Sequence, residues 1–122
     1  PMARLVSYTV VGLEPRYMGV GPIEAIPKAL KMAGLTLDDI DLFELNEAFA
    51  SQALACARDL KLDPAKVNPN GSGIGLGHPI GATGAILTVK LLHELKRTGG
   101  RYGIVSMCIG GGQGIAALFE RV

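Results

Sequence analysis

Residues 85–120 read AILTVKLLHELKRTGGRYGIVSMCIGGGQGIAALFE. Leu87, Leu91 and Leu95 recur every four residues, which predicts a helix over Ala85–Arg97. Lys96 and Arg97 fall in its last turn, where cations complement the negative end of the helix macrodipole. Arg101–Ile109 is an apolar run and reads as a strand, Gly110–Gly114 as a turn, and Ile115–Glu120 as a final strand. The short glycine-rich connection predicts that the last two strands pair antiparallel.

Upstream, the same signals continue. Arg4–Val11 is rich in β-branched and aromatic residues and predicts a strand. Gly12–Gly21 is a loop, and Pro22 suits the first turn of a helix. Ile23, Ile26 and Leu30 follow at helical spacing, and Gly34 fits the left-handed cap position. Pro27 is expected to kink this helix or confine its regular part to the C-terminal turns. Asp41–Leu45 predicts a short strand, with Asn46 as the N-cap of a helix over Glu47–Leu60. Phe49, Ala53, Ala57 and Leu60 would form its stripe. Asp63-Pro64 and Asn68-Pro69-Asn70-Gly71 are turn signals. The order β-α-β-α-(Gly loop)-α-β-β predicts one α/β domain over residues 1–122 with a largely parallel sheet.

Composition excludes several classes. Of the 122 residues, 48% are hydrophobic and 19% charged, which is a core-forming composition rather than a disordered one. Lys plus Arg number 12 against 11 Asp plus Glu, so no basic stripe is available for a nucleic-acid partner. No apolar run reaches the ~18–20 residues of a membrane span. Pro1-Met2-Ala3-Arg4 carries no signal-peptide apolar segment. The two cysteines, Cys56 and Cys108, form no Cys-x-x-Cys pair, which favours a reducing compartment. Two isolated histidines support no metal site.

Gly71–Gly84 holds six of the 17 glycines and is the richest stretch for chemistry. The dinucleotide fingerprint does not fit it: the third glycine would fall at His78 or Ile80, and the Walker lysine is missing. His78 precedes Pro79 and lies just before a helix N-terminus, which disfavours imidazolium. A neutral ring there can serve as a base or as a donor to an oxyanion; the alternative is a surface-loop histidine. Cys108 ends a strand before three glycines that leave room and free N–H groups for a ligand, though most free cysteines are small buried hydrophobes. His93 and Cys56 read as a solvated helix residue and a core residue.

Taken together, the segments are more specific than their parts. Asn46-Glu47-Ala48-Phe49-Ala50, Gly77-His78-Pro79-Ile80-Gly81-Ala82-Thr83-Gly84 and Cys108-Ile109-Gly110-Gly111-Gly112 occur in this order. With Met18-Gly19-Val20-Gly21-Pro22, they resemble the signature segments of the C-terminal half of thiolases. The resemblance implies a thiolase-like half, a five-stranded mixed sheet with helices on both faces (β-α-β-α-β-α-β-β), the extra strand near Lys66–Asn70. It implies cleavage of a 3-ketoacyl-CoA by CoA to acetyl-CoA and a shortened acyl-CoA, or the reverse Claisen condensation. No cofactor is implied; coenzyme A is a substrate. By resemblance, His78 activates the nucleophilic cysteine and lines an oxyanion hole, and Asn46 fixes a water there. Cys108 is the acid/base cysteine, and Gly110 offers its N–H to a second hole. Such a cysteine needs a pKa near ambient, set by a nearby imidazole and dipoles. Met18, Phe49, Gly77 and Ile109 belong to segments expected to line the substrate.

The family's nucleophile lies in its N-terminal half, and no residue here matches it. The implied partners are that half, CoA and acyl-CoA, and a second or further copies in a dimer or tetramer. The implied compartment is a bacterial cytoplasm or an organellar matrix. A further departure is Gly71-Ser72-Gly73-Ile74-Gly75-Leu76, where many thiolases read Gly-Gly-Ala-Ile-Ala-Leu. A thiolase-like, non-catalytic subunit or CoA-ester-binding domain is the other reading.

Overall fold

The computed structural model describes residues 1–122. Its sheet has four strands, β1 (Ala3–Gly12), β2 (Leu42–Leu45), β3 (Tyr102–Ile109) and β4 (Gln113–Arg121), in the order β1-β4-β3-β2. The helices are α1 (Gly21–Ala33), α2 (Ala50–Asp59), a single turn α3 (Gly73–Leu76) and α4 (Thr83–Thr98).

The predicted hairpin forms: β4 runs antiparallel to β3, with Cys108 opposite Gly114 and Val105 opposite Ala117. β4 also pairs antiparallel with β1, Thr9 opposite Ala116. Only β2 and β3 are parallel, Leu42 opposite Gly103 and Leu45 opposite Ser106. The expectation of a largely parallel sheet is therefore corrected to a mixed one. The reason is β4, which folds back through a turn too short for a crossover and fills the space between β3 and β1.

Alternating side chains of the sheet serve two layers. Phe43, Ile104, Ala116 and Leu118 face α1 and pack with Ala25, Ile26, Ala29 and Leu30. Leu42 and Val105 face α4 and pack with Leu87, Leu91 and Leu95. Those three leucines are the stripe read from the sequence, and burying each contributes about 1.5–3 kcal/mol. The helix-on-both-faces arrangement follows.

Three local expectations change. α1 runs unbroken through Pro27, which lies on its exposed face. Gly34 closes α1 at φ +68, its N–H bonding Lys31 O while Leu35 N–H reaches Leu30 O. α2 starts at Ala50, not Glu47, and its cap position is Phe49 rather than Asn46. Gln52 and Cys56 are its buried residues, with Leu60 buried just past its end; Phe49 is exposed, and Ala53 and Ala57 are half-buried.

The fifth strand reduces to a single parallel bridge between Phe43 and Val67. Asn68 N–H donates to Phe43 O at 2.8 Å, but Asn68 itself has φ +49 and turns the chain away from the sheet. Its carboxamide then stands in for the next backbone pair. Leu45 N–H donates to Asn68 Oδ1, and Asn68 Nδ2 donates to Leu45 O, each at 2.8 Å. Pro69 follows and has no N–H to continue a ladder.

Candidate active site at the carboxyl end of the parallel strands

β2 and β3 point the same way, so their carboxyl ends meet at one edge of the sheet, where open α/β sheets place their ligands. Asn46 is the first residue beyond β2, and its N–H donates to Ser106 O at 2.9 Å. Cys108 and Ile109 are the last residues of β3. The Met18 segment reaches the same end. It is a 3-10 turn, Pro15–Val20, in the stretch read as loop. Gly21 and Gly114 touch backbone to backbone there: a Cβ on Gly114 would lie 2.4 Å from Gly21 O. The turn also rests on α2, where the Cys56 thiol donates to Gly19 O at 3.6 Å.

The side chain of Asn46 is fully buried and sits 3.2 Å from His78, Nδ2 to Nε2. His78 Nδ1 lies 2.6 Å from Thr83 Oγ1, at the start of α4. Thr83 donates its one hydroxyl proton to Pro79 O at 2.9 Å, so it accepts from His78. The network assigns the proton of a neutral His78 ring to Nδ1, and leaves Nε2 with a lone pair that accepts from Asn46. Asn46 Oδ1 is buried and has no hydrogen-bond partner. The ring is thus oriented by one polar contact on each nitrogen, at the N-terminal end of α4.

The backbone around this pair is close-packed. A Cβ on Gly73 would stand 2.7 Å from Glu47 O and 3.0 Å from Asn46 Oδ1. The departure from alanine at this position therefore lets the loop lie closer to Asn46 than an alanine would. Ser72, a second departure, donates its hydroxyl to Leu45 O at 3.1 Å, and Gly75, the third, has open space where a Cβ would stand. Ile74 N–H donates to Glu47 Oε2 at 3.2 Å.

Cys108 is half-buried and makes no side-chain hydrogen bond to His78 or Asn46. Burial pushes its thiol up from the ordinary value. The resemblance implies a thiol near ambient pH, and in this chain burial acts in the opposite direction. Gly110 is exposed at the start of the hairpin turn. Gly77 is exposed at φ +94, Phe49 is 62% exposed, and Met18 and Ile109 are half-buried. His93 is exposed on α4 and Cys56 is buried, its thiol also pushed up by burial.

Sequence reading missed three contributors. Thr83 orients His78. Glu44 is fully buried and paired with Lys90, Nζ to Oε2 at 2.7 Å. Asn68 replaces a strand. Glu44 carried a signal, a carboxylate inside the apolar run Leu42-Phe43-Glu44-Leu45; the other two carried none beyond turn or cap propensity. No three His, Cys, Asp or Glu residues are grouped so as to hold a metal ion.

A mixed sheet with a helix on each face thus carries the Asn46–His78 pair at the carboxyl end of its parallel strands, where Cys108 and Ile109 also end β3. The chain belongs to the thiolase family: the family described as "Thiolase, C-terminal domain" matches residues 1–121. It is 66% identical over 122 residues to Beta-ketothiolase BktB of Cupriavidus necator, covering 100% of this chain and 31% of that protein. It is 61% identical over 117 residues to the peroxisomal 3-ketoacyl-CoA thiolase of Homo sapiens, covering 95% of this chain and 28% of that one. The crystal structure of human mitochondrial 3-ketoacyl-CoA thiolase in complex with CoA superposes with a TM-score of 0.98 at 55% identity, covering 100% of this chain and 31% of that one. The chain therefore spans about a third of the length of these relatives. They come from bacteria, peroxisomes and mitochondria by name, and no helix here is long and apolar enough to cross a membrane.

Proposed function

We propose that this chain is the C-terminal catalytic half of a thiolase. The assembled enzyme cleaves a 3-ketoacyl-CoA with CoA to acetyl-CoA and an acyl-CoA two carbons shorter, or runs the Claisen condensation in reverse. The observation that carries this reading is the Asn46–His78–Thr83 relay at the strand edge that also holds Cys108. The similarity to a thiolase solved with CoA supports a CoA thioester as the ligand.

In this reading His78 Nε2, unprotonated in the assigned tautomer, gives up its contact with Asn46 Nδ2 and takes the proton of a nucleophilic cysteine supplied by the N-terminal half. That thiolate attacks the 3-keto carbon, and the C2–C3 bond breaks to give an acyl-cysteine and the enolate of acetyl-CoA. His78 and a water held by the buried Asn46 Oδ1 stabilise the enolate oxygen. Preorganised donors of this kind are each worth about 10²–10³ in rate. Cys108, protonated at neutral pH, gives its proton to the enolate carbon and recovers one from the incoming CoA thiol. The CoA thiolate then attacks the acyl-cysteine, and the oxyanion of the tetrahedral intermediate meets the Gly110 N–H. The acyl–cysteine C–S bond breaks to release the shortened acyl-CoA, the leaving cysteine thiolate taking back its proton from His78. Met18, Phe49, Gly77 and Ile109 line the thioester. No cofactor enters; the partners are the N-terminal half, CoA esters and further copies of the whole protein. The setting is a bacterial cytoplasm or an organellar matrix.

The test is thiolysis of acetoacetyl-CoA and a longer 3-ketoacyl-CoA, by the chain alone and after co-expression with an N-terminal thiolase half. Activity in the combined sample only is the expected result. No activity in either sample moves the reading to a non-catalytic subunit.

A further inference from the structure

The mechanism leaves one buried charged pair without a role. Glu44 has no exposed side-chain surface, and Lys90 is 15% exposed. Replacing such a pair with apolar residues is often neutral or stabilising, so its presence is not accounted for by stability. The geometry offers another account. Lys90 Nζ holds Glu44 Oε2 at 2.7 Å and also donates to Gly71 O. One ammonium thereby ties together strand β2, helix α4 and the first residue of the glycine loop.

The Asn46–His78–Thr83 relay joins the same three segments. Asn46 follows Glu44 by two residues, on the same side of the strand. Thr83 precedes Lys90 by seven residues, two turns back on the same face of α4. His78 ends the loop that Gly71 begins. The two connections are therefore parallel braces about 7–10 Å apart. A shift of Gly71 relative to β2 would be carried along seven residues, four of them glycine, to His78. A second contact from the loop, Asn70 Nδ2 to Glu94 Oε2 at 3.0 Å, holds it to α4 one turn further on.

We propose that Glu44 and Lys90 are positioning residues for His78, fixing the Gly71–His78 loop against β2 and α4 so that the imidazole meets Asn46 and Thr83 together. The orphaned Glu44 Oε1, buried without a partner, is consistent with a group selected for placing the lysine rather than for completing its own hydrogen bonds. The effect on turnover rests on the thiolase reading; the effect on the ring does not.

The experiment uses the chain co-assembled with its N-terminal half. The double variant E44L/K90M removes both charges while retaining bulk, and E44Q retains the shape of the glutamate. Melting temperature, kcat, KM for acetoacetyl-CoA and the ring ¹⁵N resonances of His78 are measured for each. The expected result is a melting temperature close to wild type, a kcat lower by on the order of 10–100-fold, and a KM within about twofold. The His78 ring resonances leave the position of a single Nδ1–H tautomer, and K90R restores part of the kcat. Wild-type kcat with unchanged ring resonances overturns the proposal, as does a kcat loss that only follows the unfolded fraction. Should the double variant not fold, E44Q decides by the same criteria. Should the wild-type assembly show no thiolysis, the thiolase reading falls while the resonances still decide the positioning.

Discussion

The sheet with its two helices and the Asn68–Thr83 segment are built by opposite means. The first is apolar: α1 and α4 bury Ile26, Leu30, Leu87, Leu91 and Leu95 against Ile104, Val105 and Leu118. The second has almost no core of its own. It is held by side-chain polar contacts from Asn68, Asn70, Ser72 and Thr83, and by Lys90 and Glu47 reaching in from outside. Apolar burial is non-directional and gives stability, whereas hydrogen bonds fix direction at about 0.5–1.5 kcal/mol each. A loop that must orient an imidazole is better served by the second.

The hardest test of this division is His78→Ala. Turnover of the assembled enzyme should fall by about 10²–10⁴, with a melting temperature within a degree or so of wild type. A large loss of melting temperature would break the comparison by making the loop part of the core. Asn46→Ala should lower kcat by about 10²–10³, and it sharpens the comparison because Asn46 bonds to both regions, to β3 by its backbone and to His78 by its side chain. Its burial adds about 1–3 kcal/mol of destabilisation, visible in urea unfolding. Leu91→Ala works the other way: about 2–5 kcal/mol of stability lost, with kcat retained below the new transition.

Asn68→Gly retains the positive φ but removes both bonds to Leu45, so about 1–3 kcal/mol should be lost. Hydrogen exchange at the Leu45 amide should speed while the amides of β3 and β4 stay protected; uniform loss of protection would show that the segment is not locally held. The smallest effect is electrostatic. Arg97, with Asn70 beside it, holds the Glu94 carboxyl down at about 2, against about 4.3 in an unfolded chain. A depressed carboxylate contributes stability that is complete above the unfolded value and is lost as pH falls from about 4 through 2. Glu94→Gln should flatten the stability–pH curve in that window by at most about 1 kcal/mol, because Arg97 is largely exposed.

Legibility follows the same division. The Leu87, Leu91 and Leu95 stripe and the β3–β4 hairpin could be read from spacing, since each is written within a few turns or one short connection. His78 and Cys108 stood out as alternatives and became a site through the order of four segments. Asn46 was misread locally. An asparagine before a helix is usually a cap, but α2 starts at Ala50 with Phe49 at the cap position, and Asn46 instead meets His78, 32 residues on. The strand near Lys66–Asn70 was expected whole but is one bridge, because a side-chain amide substitutes for backbone, which no periodicity records.

The sequence alone determined the α1 and α4 helices, the β1 strand, the β3–β4 hairpin and the family of motifs, because these depend on residues within a turn or two of each other. The tertiary structure alone decided that β4 lies between β1 and β3, that one pair of strands is parallel, and that Asn46 and Thr83 orient His78. It also decided that Glu44 meets Lys90 across 46 residues. Those outcomes are set by which polar groups the closing chain leaves without water, and a buried donor or acceptor takes whatever partner the fold brings within about 3 Å.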